Sequence, residues 1–337
     1  GSFPKGLEYG LQIFDSWLYD EETPFLHLDA LATYDFLKTQ IDTGYFEELI
    51  QTYILDNTHG ALVIVTPERG LTAKQDKQLE EKLAAYKDSL TEQEVDALVD
   101  ATHQLVAYQE SEERPEDMEK IPILSRSDIS RQITPIQNEE KNIDGTQVIY
   151  HDIDTNGIGY VDLLFDLSGV GAEELPYVGI LQAVLGLVDT KEYGYGELSN
   201  EINMHTGGVE TSIELYPDVT KVREKDFRAT FEIKAKALYG KLPKAFEMMG
   251  EILTQSKLDD EKRLKEILAM AKSRLQMRFQ SAGHVTAAAR ALSYSSPMSK
   301  FKDLTGGIGY YEVVKHIEEH FEEEKECLIA TLQKLSK

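Results

Sequence analysis

Two stretches decide the fold of this chain, Val209-Glu-Thr-Ser-Ile-Glu-Leu-Tyr216 and Arg228-Ala-Thr-Phe-Glu-Ile-Lys-Ala-Lys-Ala237. Apolar and polar residues alternate along both, which is the pattern of β-strands with one buried and one exposed face. They therefore predict a pair of neighbouring strands. Gln147–His151 and Tyr160–Leu167 are also strand-like, and the turn sequence Thr155-Asn156-Gly157 between them predicts a β-hairpin.

Helices are predicted around these strands. An apolar helix begins at a proline and covers Pro176–Val188, a second covers Gly194–Met204, and a last one runs from about Tyr310 to Leu335. The helix predicted over Asp259–Phe279 turns one apolar stripe inward, formed by Leu264, Ile267, Leu268, Ala271, Leu275 and Phe279. The order of strands, helices, strands and helices predicts an α+β fold, an antiparallel-rich sheet with helices packed on one face.

The N-terminal part of the chain has a different pattern of apolar and polar residues. Residues 3–56 carry apolar side chains at helical spacing, and the compact run Ala61–Val65 predicts a strand. Because one strand cannot make a sheet, the other strands of that domain are expected upstream. Two amphipathic helices are predicted over residues 71–120, and the capping-box pair Thr91 and Glu94 marks the start of the second. The short turn between them predicts an antiparallel αα-hairpin, which is most simply a linker or hinge.

Composition narrows the classes of function. The 337 residues include 60 Asp and Glu against 35 Lys and Arg, a net charge of −25, which disfavours nucleic acid and anionic membranes as partners and favours basic ligands. Hydrophobic residues make up 41%, which excludes a wholly disordered chain. The single cysteine, Cys327, excludes an internal disulfide and fits a reducing compartment. The opening Gly1-Ser2, without Met, is expected of a piece excised from a longer protein.

A series of short motifs runs in order along nearly the whole chain. They are Phe3-Pro-Lys-Gly-Leu7, Trp17-Leu-Tyr-Asp20, Tyr45-Phe-Glu-Glu-Leu-Ile50, Asp56-Asn57, Ile121-Pro122, Asp128-Ile129, Thr155-Asn-Gly-Ile158, Leu175-Pro-Tyr177, Thr206-Gly-Gly208, Ser281-Ala-Gly-His284 and Gly309-Tyr-Tyr311. Together they resemble the presequence-protease, or peptidasome, branch of the pitrilysin/insulinase-type zinc metallopeptidases. Their number and order make the resemblance stronger than any one motif would.

The resemblance implies an architecture and an activity. Members look like two halves, each of two similar α+β domains, joined by a helical hairpin around a chamber that digests unfolded or basic peptides. Residues 1–70 would then end the second domain, residues 71–125 form the hinge, and residues 126–337 form the third, metallopeptidase-like domain. The zinc site would lie in the first domain of the parent polypeptide, which is missing here together with the fourth. The expected location is the bacterial cytoplasm or an organelle matrix.

The helix after Leu175-Pro-Tyr177 corresponds, by the same resemblance, to the family's metal helix. Val178, Leu181 and Gln182 stand where the family has His, Glu and His. Two apolar side chains and an amide cannot hold zinc and supply a general base. We therefore predict a structural helix, no catalytic, metal-ligating or cofactor-binding residue in this chain, and no peptidase activity for this segment alone.

A literal His-x-x-Glu-His does occur at His316-Ile-Glu-Glu319-His320, the pattern of inverted zinc peptidases. A helical wheel places His320 at the edge of the apolar face, and His316 and Glu319 toward solvent. An ordinary solvated helix is therefore the favoured interpretation. Weak surface metal binding completed by Glu323 or Glu324 stays open, and catalysis is disfavoured because a catalytic zinc needs a concave, partly dry site.

Other motifs are weaker. Residues 306–309 resemble a phosphate loop only in glycine content and lack the Lys-Ser/Thr ending, which favours a helix-entry turn. His284 is predicted to be a cap or a packed histidine, and Cys327 a small residue on the last helix. Three functional hypotheses follow: the central segment of a zinc metalloendopeptidase, a non-catalytic binding or assembly module, and an autonomous metallopeptidase built on His316.

Overall fold

The computed structural model describes residues 4–132, 135–218, 220 and 227–337. Gly1, Ser2 and Phe3, which include the start of the first quoted motif, lie outside the described residues. The chain divides into two compact units, an N-terminal unit of residues 1–129 and a C-terminal unit of residues 130–337. The division of the chain at residues 70 and 125 into peptidase-like parts and a hinge stays a prediction.

The described part of the N-terminal unit is helical. Its helices are α1 (Lys5–Trp17), α2 (Leu31–Thr39), α3 (Tyr45–Ile50) with a π-helical turn after it (Gln51–Leu55), α4 (Leu71–Ser89), α5 (Glu92–Glu110) and α6 (Pro115–Met118). Ser16 is the one buried residue in the part of this unit that the structure describes. The unit has helices, therefore, but no hydrophobic core formed by its described residues.

The start of α5 is fixed by a capping box. The Thr91 backbone N–H donates to Glu94 Oε2 over 2.8 Å, and the Glu94 backbone N–H donates back to Thr91 Oγ1 over 3.3 Å. This confirms the predicted beginning of the second helix. The apolar stripes of α4 and α5 are exposed, at Leu79 and Leu83 for example, so the antiparallel packing of the two helices stays a prediction.

The strand predicted over Ala61–Val65 is wrong. The segment has no regular secondary structure, and the residues from Leu62 to Val65 are between 76% and 88% exposed. A β-strand needs a hydrogen-bonded neighbour. None of the described residues of the N-terminal unit forms another strand, so the run has nothing to pair with.

The C-terminal unit contains the sheets. Its elements are β1 (Glu139–Ile143), β2 (Thr146–Tyr150), β3 (Ile158–Asp166), α7 (Leu175–Val184), α8 (Tyr195–His205), β4 (Val209–Pro217), β5 (Phe227–Leu238), α9 (Leu242–Gln255), α10 (Glu261–Ser281), α11 (Gly283–Ser293), α12 (Pro297–Gly306), α13 (Ile308–Glu319) and α14 (Phe321–Leu335). One sheet is the β1–β2 hairpin, and the other has the antiparallel order β3-β5-β4. Within the described ranges, no helix combines the length and apolar character needed to cross a membrane.

The pairing of β4 with β5 is confirmed, since Thr211 lies opposite Ile233 in an antiparallel ladder. The hairpin predicted between Gln147–His151 and Tyr160–Leu167 is wrong. The first run is β2, which pairs with β1 across Asp144-Gly145, and the second is β3, which pairs with β5. Both turn residues have positive φ, 49° and 88°, as the tightest two-residue hairpin turn requires. That local turn closes β2 onto the strand before it.

The core of the C-terminal unit lies on one face of β5. Side chains at odd positions of this strand are buried against the helices, with Ile233 fully buried and Phe231 and Ala237 nearly so. Helices α7, α9 and α10 bring buried side chains to the same cluster, including Val178, Leu181, Met248, Met249, Leu264 and Leu268. Full burial of such a side chain contributes about 1.5–3 kcal/mol. This confirms the coarse prediction of an α+β fold with antiparallel strands and many helices.

The last predicted helix is interrupted. Helix α13 ends at Glu319, His320 has the non-helical angles φ −116° and ψ 33°, and α14 begins at Phe321. The His320 ring nitrogen Nδ1 lies 3.0 Å from the His316 carbonyl oxygen, which the His320 backbone N–H also reaches. A side chain that competes for a helix carbonyl favours such a break. Helices α9, α11 and α12 lie outside the predicted elements.

A close contact between helices generates a test of the core. A Cβ added at Gly179 of α7 would collide with the Thr305 backbone carbonyl and come within 2.8 Å of the Tyr310 ring, whereas one at Gly196 of α8 would meet nothing within 4 Å. We expect Gly179→Ala to lower the free energy of unfolding by roughly 1–3 kcal/mol. Gly196→Ala should leave it unchanged or raise it by up to about 1 kcal/mol. Chemical denaturation of both variants measures the difference, and equal effects would contradict the packing.

Candidate functional site

By the resemblance, α7 is the predicted counterpart of the family's metal helix, and the side chains at its three key positions make structural contacts. Val178 and Leu181 are 2% and 5% exposed and belong to the core. The Gln182 side-chain amide donates to the Thr211 carbonyl over 3.2 Å, and the Thr211 hydroxyl donates to the Gln182 carbonyl over 3.1 Å. This reciprocal pair ties α7 to β4, so all three side chains have a structural contact.

The His-x-x-Glu-His motif straddles the break between α13 and α14. His316, Glu319 and His320 are all exposed, and the two imidazole rings lie 4.7 Å apart between centroids. His316 Nε2 lies 3.3 Å from Glu324 Oε1, while Glu319 Oε1 lies 3.7 Å from Lys272 Nζ. The carboxylate in the position of a general base therefore faces an ammonium group on a solvated helix surface.

A zinc ion needs several such ligands converging on one point. Among the residues that the structure describes, no group of three or more His, Cys, Asp or Glu side chains is placed to hold a metal ion. The residues of the described ranges therefore do not fit a zinc site.

The glycine-rich segment 306–309 lies at the junction of α12 and α13. Asp303 is buried there, where its Oδ1 accepts from the Ile308 backbone N–H over 3.2 Å and its Oδ2 pairs with Arg290. The segment thus forms the turn that leads into α13, as predicted. His284 is exposed in the first turn of α11, and Cys327 is exposed on α14.

A polar cluster was not among the predicted sites. It lies on the face of the β3-β5-β4 sheet opposite the packed helices, which we call the open face. Its centre is Glu232 of β5, which is fully buried. Glu232 Oε1 accepts hydrogen bonds from the Tyr216 and Thr230 hydroxyls, each over 2.6 Å, and Lys234 Nζ lies 2.8 Å from Oε2. Three neighbouring side chains therefore surround one buried carboxylate.

These contacts set the protonation of the cluster. Burial by itself would raise the pKa of Glu232, but the hydrogen bonds from Lys234, Thr230 and Tyr216 outweigh it and lower the pKa below the ordinary glutamate value. The hydrogen bond to Glu232, with burial, raises the pKa of Tyr216 to about 12. Glu232 is thus held as a carboxylate and Tyr216 as a neutral donor.

The Lys234 ammonium is shared with two further carboxylates. Its Nζ lies 3.9 Å from Asp162 Oδ2 on β3 and 4.0 Å from Glu214 Oε1 on β4. Burial, and then the nearby carboxylates of Glu232 and Glu214, raise the pKa of Asp162, although Lys234 opposes them. Among the described residues, the Lys234 ammonium is therefore shared by three carboxylates, and it lies closest to Glu232.

A groove of about 1010 Å³ runs beside this cluster. It lies between the β1–β2 hairpin and the open face of the sheet, and it is lined by Ile149, His151, Leu164, Asp166, Tyr216, Pro217, Asp218, Phe227, Arg228 and Thr230. Apolar, acidic and basic side chains all contribute to the lining. This mixture suits the recognition of a ligand with both apolar and charged parts.

The alternation in Arg228–Ala237 could have located this cluster. Side chains on one face of a strand recur every second residue, so Thr230, Glu232 and Lys234 had to share the face opposite Ile233. What the alternation did not show is that the middle residue of this polar row is fully buried, because that burial depends on the neighbouring strands.

The C-terminal unit is an α+β domain in which an antiparallel sheet carries helices on one face. Residues 65–317 match the family model for the region associated with peptidases of family M16, subfamily C. The chain belongs to this family. The resemblance to the presequence-protease branch of the pitrilysin-like peptidases is thereby confirmed.

Relatives agree with this assignment. The chain is similar to Protein HypA of Clostridium perfringens, with 37% identity over 99% of this chain and 34% of the relative. It is also similar to presequence protease 1, chloroplastic/mitochondrial, of Arabidopsis thaliana, at 29% identity over 99% of this chain and 31% of the relative. Mitochondrial presequence protease of Drosophila melanogaster is 24% identical over 81% of this chain and 26% of the relative. The chain thus spans about a third or less of the length of these curated relatives.

The hydrogen bond between Tyr216 and Glu232 can be tested through stability. Tyr216→Phe removes a donor from a buried carboxylate, and we expect the free energy of unfolding to fall by about 1–2 kcal/mol. Tyr160 lies on the same face but is 65% exposed, so Tyr160→Phe should change stability by under about 0.5 kcal/mol. Urea denaturation at neutral pH measures both.

The same pair predicts a pH dependence. Because folding raises the pKa of Tyr216 from its ordinary value of 10.0 to about 12, its contribution is complete below pH 10 and is lost as the pH rises toward 12. The stability difference between the wild-type chain and Tyr216→Phe should therefore shrink over this range. A difference that stays constant up to pH 12 would contradict the assignment.

Proposed function

We propose that this chain is the central segment of a zinc-dependent metalloendopeptidase that degrades unfolded peptides inside a closed chamber. The observation that supports this best is the family match over residues 65–317 together with relatives named presequence protease that align with nearly the whole chain. In this proposal the segment supplies the hinge and part of the chamber wall. The expected location of the parent is the bacterial cytoplasm or an organelle matrix.

The catalytic zinc site of the parent would lie outside this chain. Three features support this: the packed side chains at Val178, Leu181 and Gln182, the solvated His316 motif, and the failure of the described residues to form a metal-binding group. When bound in the parent, zinc would polarise the scissile carbonyl and activate water. The residues of this chain would instead hold the fold and contact the peptide.

The hinge role rests on the N-terminal unit. Helices α4 and α5 expose apolar stripes that include Leu79, Leu83, Leu98 and Leu105. Exposed apolar stripes on amphipathic helices mark surfaces that other elements cover. In the proposed parent, packing between these two helices and against the missing domains would cover them.

A non-catalytic binding or assembly module, related to inactive peptidase-like subunits, is the alternative function. Both functions are compatible with an α7 helix that carries no metal ligands. The residues of this chain therefore do not distinguish the peptidase segment from the binding module. An intact His-x-x-Glu-His upstream of this segment in its reading frame supports the peptidase. A reading frame without that motif supports the module.

The isolated chain provides a direct test of the proposal that the catalytic zinc site lies outside it. We expect the purified protein to leave an unstructured fluorogenic peptide uncleaved with or without added zinc, because the described residues offer no metal site. Elemental analysis should find well under one zinc per chain. His320→Ala should change neither result.

Two outcomes would overturn this. Cleavage that chelation and His320→Ala both abolish would establish the autonomous peptidase built on the His316 motif. Stoichiometric zinc that is lost in His320→Ala would establish a metal site on α13 and α14. Glu326→Ala, at an exposed position of α14, is the matched control for a surface substitution on the same helical segment.

A further inference from the structure

We propose that Asn156, in the turn before β3, is a site of spontaneous covalent modification at which the side-chain amide is lost and aspartate or isoaspartate forms. Asn156 is the only one of the six asparagines in this chain that is followed by glycine, here Gly157. The reaction is separate from the proposed function, because it requires no metal, no peptide substrate and no other part of the parent polypeptide.

The reaction takes place between two adjacent residues. The backbone nitrogen of Gly157 attacks Cγ of Asn156, the new N–Cγ bond closes a cyclic succinimide, and the Cγ–Nδ2 bond breaks. Ammonia leaves with the proton that the glycine nitrogen gives up. Water then opens the ring, which yields aspartate when the N–Cγ bond breaks and isoaspartate when the bond to the backbone carbonyl carbon breaks. Glycine favours the first step because it has no Cβ beside the attacking nitrogen.

The turn leaves both reacting groups without hydrogen bonds. Asn156 is exposed, and its backbone N–H donates to Asp154 Oδ1 over 3.0 Å. Within the described part of the chain, neither the Asn156 side-chain amide nor the Gly157 backbone N–H has a hydrogen-bond partner. The angle φ is 53° at Asn156 and 80° at Gly157, a left-handed backbone that asparagine and glycine adopt most readily. The turn therefore favours the Asn-Gly pair and leaves it open to reaction.

Two other asparagines outside the helices show the contrast. The Asn57 side-chain amide donates to the Tyr53 carbonyl over 3.1 Å, and its Oδ1 accepts from the His59 backbone N–H over 2.8 Å. Asn142 Oδ1 accepts from the Gly145 backbone N–H over 3.0 Å. These side chains must first give up a hydrogen bond before they can turn toward the next backbone nitrogen. Hydrogen bonding and the residue that follows both distinguish them from Asn156.

Contacts on both sides of Asn156 make the fold sensitive to the product. The Tyr239 backbone N–H donates to the Gly157 carbonyl over 2.9 Å, and the Tyr239 hydroxyl lies 3.0 Å from Thr155 Oγ1. Thr155 Oγ1 also donates to the carbonyl of Ile158, where β3 begins. Isoaspartate inserts the former side-chain carbon into the main chain, so the turn cannot keep all these contacts. Ordinary aspartate adds a negative charge and leaves the backbone path unchanged.

The test compares the purified 337-residue chain with a synthetic peptide of residues 150–164, both incubated for weeks in warm neutral buffer. Peptide mapping by mass spectrometry should find deamidation at Asn156 in the folded chain. Its rate should be within about tenfold of the rate in the peptide, a difference of about 1.4 kcal/mol in activation free energy. Carboxyl methylation by a protein isoaspartyl methyltransferase should label the same position. The rate should rise in mildly alkaline buffer, because the attacking nitrogen must lose its proton.

Two variants provide matched controls. Asn156→Gln, whose longer side chain would have to close a larger ring, should not be labelled. Asn156→Asp reproduces the added charge without the altered backbone, so fresh protein of this variant should melt at the temperature of the wild-type chain. The isoaspartate fraction of aged protein, separated by ion exchange, should melt at a lower temperature. Asn142, in the same aged samples, should stay unmodified.

Three outcomes would overturn the proposal. Deamidation of the peptide with none in the folded chain would show that the turn protects Asn156. Equal modification at Asn142 and Asn156 would show that the turn gives no selectivity, and methyl labelling that persists in Asn156→Gln would place the isoaspartate elsewhere. None of these measurements involves zinc or peptide cleavage, so their failure is distinguishable from failure of the proposed function.

Discussion

The buried face of β5 is the constraint on which the rest of the C-terminal unit depends. This strand is hydrogen-bonded on both sides, to β3 and to β4, and its odd-numbered side chains pack against the helices. A slip of one residue would carry Glu232 and Lys234 into the core in place of Ile233. The cost of burying those charges among apolar side chains fixes the register, and the register fixes both faces of the sheet.

The polar face follows from the same alternation. Glu232 is fully buried although it is charged, and a buried charge is tolerated only when its neighbours pair with it and hydrogen-bond to it. Tyr216 reaches it from β4, while Thr230 and Lys234 reach it along β5. The cluster therefore links two strands through one buried carboxylate whose pKa is lowered, and its Tyr216 and Thr230 also line the groove.

The position of helix α7 is set by packing and by contacts with the backbone of β4. Helix α7 keeps its place over the sheet because Val178 and Leu181 are in the core and Gln182 binds the backbone of β4. None of these contacts requires a metal. These contacts alone therefore account for the place of α7 in the fold, independently of any chemistry that a site would supply.

Local patterns in the sequence determined the features whose energetics are local. The alternation over 209–216 and 228–237, the capping box at Thr91 and the apolar stripe of α10 each predicted an element that the structure contains. The motifs also identified the family. In each of these elements, the pattern involves residues that are close together in the sequence or that recur on one face of the helix or strand.

Only the tertiary structure decided which strands pair and what is buried on the polar face. The run at 61–65 is apolar enough for a strand but has no described partner, and β3 pairs with β5, far along the chain, rather than with β2. The burial of Glu232 also depends on β4 folding beside it. Strand pairing and burial are long-range properties, so the sequence specified the alternating faces while tertiary contacts determined what each face became.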